Sequence, residues 1–268
     1  MKQIVIPTGK QLVMPTAKQV GQRLWTPADI TTVGWWDLSD EDTITESAGS
    51  VSQWDDKSGN GNNATQGSGS NQPTTGGTIG TRNAITFDGV DDFFSVTNSP
   101  LATQDFSIFV VFTSVNTQAD ARWFRGAPVF MGDHGGTVND AGIVVLSGTV
   151  AVGIRDATAY KASTTINDGN PFQFGFIRDQ DATSYGYVNG TQEISQALNT
   201  CTLDKSWRIG ANNDGTQPLD GTVGEIIALD SLASDETRQK VEGYLAWKWG
   251  IEASLPVAHP YKSEAPLA

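Results

Sequence analysis

Hydrophobic residues along this chain come in short bursts separated by glycine, asparagine, serine and threonine. Within the bursts, apolar and polar positions alternate, the period that puts successive side chains on opposite faces of an extended strand. The pattern predicts strands at 84–87, 93–96, 106–113, 129–131, 142–146, 150–155, 172–178, 185–188, 207–209 and 223–228. An earlier strand opens at Trp35-Trp36-Asp37, with an acidic loop at 39–42 after it. Residues 53–66 read as a turn-rich loop and 67–82 as a long Gly/Ser/Thr-rich surface loop. Tyr187-Val188 runs into Asn189-Gly190, a pair suited to the positive φ angles of a tight hairpin turn. Many short strands with turn residues between them predict an all-β fold, an antiparallel two-sheet jelly-roll sandwich.

The period changes near the C-terminus. Ser234 is a good N-cap, and Asp235 and Glu236 stand where a helix dipole favours anions. Val241, Tyr244, Leu245 and Trp249 then recur at helical spacing, and Gly250 is placed to end the helix. These four are expected to pack on the sandwich, with Lys240, Glu242 and Lys248 largely outside the buried face. The N-terminus carries a different pattern, a tandem octapeptide: KQIVIPTG and then KQLVMPTA. Ile4, Val5, Ile6, Leu12, Val13 and Met14 are its apolar anchors, and each set runs into a proline that opposes a central strand. The repeat is too short to build a core. The expected organisation is an extended arm over 1–24, a β-sandwich over 25–232, and a helix with an extended tail over 233–268.

Composition narrows the function classes. Lys and Arg total 17 against 30 Asp and Glu, a net charge of −13 in 268 residues. Such a surface repels nucleic-acid phosphates and anionic lipid, so neither is an expected partner. The lone cysteine, Cys201, rules out an intrachain disulfide and is expected to be a buried thiol. No stretch has the ~20 apolar residues of a membrane helix, so no membrane insertion is expected. Pro7 interrupts the first apolar run too early for a secretion signal.

A set of segments in fixed order resembles the concanavalin A-like, laminin-G-like superfamily. They are Trp54-Asp55 with 58–62 (SGNGN), 85–89 (ITFDG) with Asp91-Asp92-Phe93, 106–108 (FSI), 176–178 (FIR), 187–190 (YVNG), 208–210 (RIG), and Gly221 with 224–226 (GEI). The C-terminal helix and tail resemble an extension common on such domains in phage and bacterial surface proteins. The resemblance implies a jelly-roll, and a calcium ion at one rim in relatives.

Candidate chemistry is sparse. Asp88, Asp91 and Asp92 surround Gly89 and offer hard oxygens suited to Ca2+; an ordinary acidic turn is the plainer reading. Trp54, Trp123, Asn60 and Asn62 are candidate glycan contacts, with Trp123 the best candidate for an exposed ring. The alternating carboxylates of an endo-glucanase strand do not occur, and His134 in a glycine-rich loop makes a poor triad member. No enzyme activity is therefore expected. The first expectation is a phage virion structural protein, a capsid decoration, head-fibre or tail-fibre component. It would dock on other virion proteins or on copies of itself through residues 1–24 and display its sandwich to cell-surface polysaccharide. The alternative is a carbohydrate-binding module or adhesin acting outside the cell or at a bacterial surface.

Overall fold

The computed structural model describes residues 22–96, 100–101, 104–120, 122–132, 140–155, 159–201, 203, 206–212 and 215–268. The six apolar anchors of the arm and His134 lie outside the described residues. The strands are β1 Gly34–Asp37, β2 Ile44–Ser47, β3 Ser50–Trp54, β4 Ala64–Thr65, β5 Thr74–Ile79, β6 Arg82–Asp88, β7 Phe94–Val96, β8 Phe106–Ser114 and β9 Ala127–Gly132. They continue as β10 Ala141–Leu146, β11 Thr149–Ile154, β12 Tyr160–Thr165, β13 Phe172–Arg178, β14 Thr183–Val188, β15 Thr191–Ala197, β16 Trp207–Ile209 and β17 Asp220–Leu229, followed by helix α1, Asp235–Trp249.

All strand pairs are antiparallel. One layer runs β12-β11-β10-β9-β16-β7-β4-β3-β2, the other β15-β14-β13-β8-β17-β6-β5, with β1 beside the second half of β17. The layers do not stand as separate sheets. Ser50 of β3 pairs with Thr74 of β5 along one seam. Along the other, the Glu193 carboxylate on β15 accepts the backbone N–H groups of Ser163 and Thr164 on β12, at 2.7 and 2.8 Å. Hydrogen bonding thus runs almost completely around a nearly closed barrel, where the alternation had predicted two sheets.

Inside the barrel, aromatic rings carry much of the packing. Trp36, Phe130, Trp207, Phe106 and Phe176 follow one another at centroid distances of 4.7–6.4 Å. Asn189-Gly190 makes the predicted hairpin turn, both residues at positive φ (49° and 79°). Strands β2, β3 and β4 lie where the pattern predicted loops or no element, as do β5, β12 and β15. In the last three, exposed Thr, Gly, Lys, Glu and Gln residues follow the pleat without an apolar alternation, so only their pairing partners reveal them.

Strands β8 and β13 are buried at every position, because one face lines the barrel and α1 covers the other. The Ser234 hydroxyl caps the helix by accepting from Thr237 N–H, and Gly250 ends it in the left-handed region. Val241, Leu245 and Trp249 are buried and Tyr244 half-buried, as their spacing predicts. The buried face is wider than the apolar stripe. Glu242 is 1% exposed, and the Lys248 side chain is 11% exposed. Both were expected on the wet side; Lys248 is instead held inward by Asp37 and Glu225 of the barrel, and Glu242 by Arg238 of its own helix and a hydrogen bond with His259 of the tail.

Trp249→Ala is expected to cost about 3–5 kcal/mol, the usual range for deleting a core tryptophan. Lys240→Ala, which removes only an ion pair to the exposed Glu236, should change stability by less than ~0.5 kcal/mol. Urea midpoints of the two variants check this, and a Trp249→Ala variant as stable as the parent would take the helix out of the core.

Candidate functional site: a pocket above a buried carboxylate

The site begins at a strand irregularity. Strand β17 shifts register against β8 between Val223 and Glu225, leaving Gly224 as the extra residue of a bulge. There the free edge of β17 changes partner, from β6 to β1. The bulge needs glycine, since a Cβ at Gly224 would sit 2.8 Å from the Trp249 ring. Just past it, Glu225 lies directly opposite Asp37 of β1. Two carboxylates so placed repel unless something stands between them.

Lys248 from α1 does so. Its Nζ lies 2.6 Å from Asp37 Oδ1 and 2.7 Å from Glu225 Oε2. Glu225, fully buried, also accepts from Trp35 Nε1 (2.7 Å), Tyr244 Oη (2.9 Å) and Trp249 Nε1 (2.9 Å). Lys57 extends the network, 3.0 Å from Asp37 Oδ2 and 2.7 Å from Asp40 Oδ2, with its Nζ over the Trp35 ring. Burial pushes the Glu225 carboxyl above its ordinary range, against the pull of Lys248. Burial acts the same way on Asp37, but Lys248, Ser39 and Lys57 together hold it below the usual range. The Tyr244 hydroxyl is driven strongly up by burial and by the carboxylates of Glu225 and Asp37, so it remains a donor.

Above this network opens a pocket of about 470 Å³. Trp35, Tyr244, Trp25, Leu24 and Trp247 give its apolar wall, and Asp37, Lys57, Arg82 and Lys248 its charges. Trp247 is 37% exposed and Leu24 60%, two of the few large apolar side chains accessible among the described residues. The roof comes from the two ends of the described chain. Trp25 N–H donates to Pro266 O and Ala268 N–H to Arg23 O, which sets Ala265 and Pro266 over the pocket. A second hollow, about 600 Å³, lies between β14 and the start of α1. Its Arg238 is engaged through Nη1 on both Glu242 oxygens and Nη2 on Asp235, and is stacked 4.1 Å over Tyr187. His259 completes that cluster from the tail. Its Nδ1 accepts Tyr261 N–H, leaving Nε2 to donate to Glu242 at 3.1 Å.

The residues singled out from sequence have other roles. Trp54 and Trp123 are fully buried, and Trp123 Nε1 donates to Arg155 O, so neither presents a face to a sugar. Asn62 is buried with its amide on Val33 O, and the Asn60 amide donates to Thr32 O. Their loop is a scaffold: Asp56 gathers Ser58 and Asn62 N–H groups and also accepts from Trp35 N–H at 2.9 Å. Cys201 is buried as expected, its thiol pushed up to about 11 by burial.

Asp88, Asp91 and Asp92 do come together, each offering an oxygen within 4.8 Å of the others. Oxygens ~2.3–2.6 Å from one Ca2+ can be that far apart, so the three fit as part of a shell of six to eight. The turn already uses two of these carboxylates. Asp88 Oδ1 accepts Val90 and Asp91 N–H, and Asp92 Oδ2 accepts Asp88 N–H. Burial, with Asp88 and Asp91 nearby, raises Asp92 to about 6.

The fold is a known one. No family model and no curated protein sequence matches the chain. Among solved structures, domain 4 of AbnA, a GH43 extracellular arabinanase from Geobacillus stearothermophilus in complex with arabinotriose, superposes with a TM-score of 0.58 at 14% identity, covering 77% of this chain and 96% of that one. The binding domain of botulinum neurotoxin DC in complex with SialylT gives 0.56 at 12%, covering 80% and 51%. Trypanosoma rangeli sialidase in complex with sialic acid gives 0.56 at 14%, covering 80% and 33%. The chain thus spans nearly all of the arabinanase domain, but about half of the toxin binding domain and a third of the sialidase. At these identities the likeness establishes a shared all-β fold.

Lys248→Met is expected to destabilise by ~3–5 kcal/mol at neutral pH, because buried Glu225 loses its lysine and Asp37 keeps only Lys57. Without Lys248 the Glu225 pKa, already raised by burial, rises further and Asp37 loses part of the pull that holds it low, so the variant's deficit grows as pH rises from about 4. The deficit should shrink toward pH 4 in denaturant titrations; a pH-independent deficit would show that Lys248 acts by packing alone.

Asp92 predicts a second pH effect. Its folded pKa of about 6 exceeds its unfolded value of 3.8, so its contribution is complete below pH ~4 and is lost as pH rises through 6. Asp92→Asn keeps an acceptor for Asp88 N–H but cannot ionise. Relative to the parent it should gain stability between pH 4 and 7, measured by thermal unfolding across that range. A parallel pair of curves would place the Asp92 pKa at its ordinary value.

Proposed function

We propose that this chain is a carbohydrate-binding domain, and that the pocket under Ala265-Pro266 is where a sugar sits. The observation that carries the reading is the pairing of exposed Trp247 with fixed polar groups in one concave site. Sugars present an apolar face of C–H groups and an edge of hydroxyls, which an aromatic wall beside fixed donors and acceptors complements. Lys57, Lys248 and Asp37 are held by one another before any ligand arrives, so little ordering entropy is lost on binding. The fold shared with structures solved with arabinotriose, SialylT and sialic acid supports the same class of ligand. We read the nearly closed barrel as a variant of the concanavalin A-like jelly-roll, and its place of action as extracellular or at a cell surface. The virion role has no support from the fold comparisons, and the glycan-binding alternative takes its place as the main reading.

We propose binding without catalysis. Asp37 and Glu225 do meet in space, a juxtaposition invisible in sequence spacing, but Lys248 bridges them and Glu225 is closed to solvent. A general acid and a nucleophile must both reach the scissile bond.

Titration calorimetry with arabinotriose and with sialyllactose tests the reading. Trp247→Ala should weaken binding about tenfold or more, in line with ~1–2 kcal/mol for a lost aromatic contact, with Trp247→Phe in between. No reducing ends should appear on incubation with arabinan. Binding that ignores Trp247 would move the site elsewhere, and steady product release would overturn the non-catalytic part.

A further inference from the structure

The charges around the pocket are not equivalent. Lys57 is taken up by Asp37 and Asp40, and Lys248 by Asp37, Glu225 and the Tyr244 hydroxyl. Arg82 differs. It stands at the start of β6, past the turn from β5, where Gly80 packs its backbone against Trp249 O. Its Nε donates to Lys248 O at 2.5 Å, tying the side chain to the C-terminal turn of α1. That bond uses one of five guanidinium donors and fixes the plane of the group. Nη1 and Nη2 have no acceptor among the described residues, and Arg82 is exposed and lines the pocket beside Trp247. The carboxylates within the network cannot serve it, since two lysines and the three ring donors already engage them.

A guanidinium held by Nε presents its remaining N–H groups as a flat fork. The group that matches a fork in both spacing and charge is a carboxylate, accepting two parallel hydrogen bonds. We propose that this pocket selects a carboxylate-bearing sugar, with Arg82 receiving the carboxylate and Trp247 receiving the sugar's apolar face. The proposal rests on the carbohydrate-binding reading and adds the charge of the ligand. In a chain of net charge −13, an anionic ligand needs such a local cation, because the protein's overall field opposes its approach. The selectivity is therefore expected to depend on this one residue and to weaken as salt screens it.

The test uses matched pairs that differ in charge: trigalacturonate against its methyl ester, and sialyllactose against lactose, by titration calorimetry. In at least one pair the acid should bind about tenfold or more tighter than its neutral partner, the value of one charge-assisted contact. The pair that shows the difference names the source of the carboxylate. Arg82→Gln should weaken the acid far more than its neutral partner and so erase the difference, with the thermal midpoint recorded to confirm folding. Acid and neutral sugars bound equally, or Arg82→Gln weakening both alike, would overturn the selectivity and leave the carbohydrate site standing. Failure of all four sugars to bind would overturn the site and the selectivity together.

Discussion

A carboxylate with no access to water must be given partners by the protein, and the rest of this architecture is arranged around doing so for Glu225. Its oxygens accept from Trp35 on β1, and from Tyr244, Lys248 and Trp249 on α1. Removing any donor leaves a buried acceptor short, which costs more than a typical hydrogen bond contributes. The strand edge and the helix are therefore locked into one register by a polar contact in a surrounding of aromatic rings. Buried ion pairs add little net stability over an apolar substitute, and their best-attested benefit is specificity of arrangement. Hydrophobic packing alone would let α1 slide by a turn along the barrel. Three directed hydrogen bonds from the helix to Glu225 would not.

The bulge at Gly224 lets that contact exist beside a sheet. Were Gly224 paired in regular register and not bulged out, Glu225 would fall opposite Val110, not Val111, and would point into the barrel. With the bulge, Asp37 and Glu225 share the outer face and Lys248 drops between them. The same glycine gives the Trp249 indole room against the backbone, so one residue permits both the ionic and the aromatic half of the helix dock.

Much of the fold was legible because its signals are local. Alternation marked β6 to β11, β13, β14, β16 and β17, the Asn-Gly pair marked a hairpin, and the cap, stripe and terminal glycine marked α1. Strands β5, β12 and β15 escaped because most of their side chains stay in water, and each buries only one apolar residue (Ile79, Ala162 and Ile194), too few to record a period. The nearly closed barrel escaped because closure depends on contacts such as Ser50 with Thr74, pairs that no window of sequence brings together. The site was almost wholly illegible for a related reason. Trp35, Asp37, Arg82, Glu225 and Lys248 are spread across most of the chain, and each alone reads as an ordinary core or surface residue. Lys248 misled most, since a charged residue beside a helical stripe is usually solvated. Trp123 misled in the opposite sense: flanked by arginines it reads as exposed, yet its ring fills the space above Gly153.

The tryptophans divide by their Nε1 partners. Trp36 donates to Asn62 O and Trp123 to Arg155 O, both backbone carbonyls that serve the loops holding the barrel's shape. Trp35 and Trp249 both donate to Glu225; Trp35 lines the pocket, and Trp249 is buried against Gly224. Trp247 donates to Tyr261 O on the tail while part of its ring stays in solvent. An indole fixed by its N–H and left open on its ring has lost most of its rotational freedom without losing its apolar surface. Such a group can stack on a ligand at small entropic cost. The tail earns its length by this contact and by the strand-like pairing of 266–268 with 23–25, which together hold the wall and roof of one pocket. A solvated tail would leave Trp247 free to turn, and the same residues would then make a surface rather than a site.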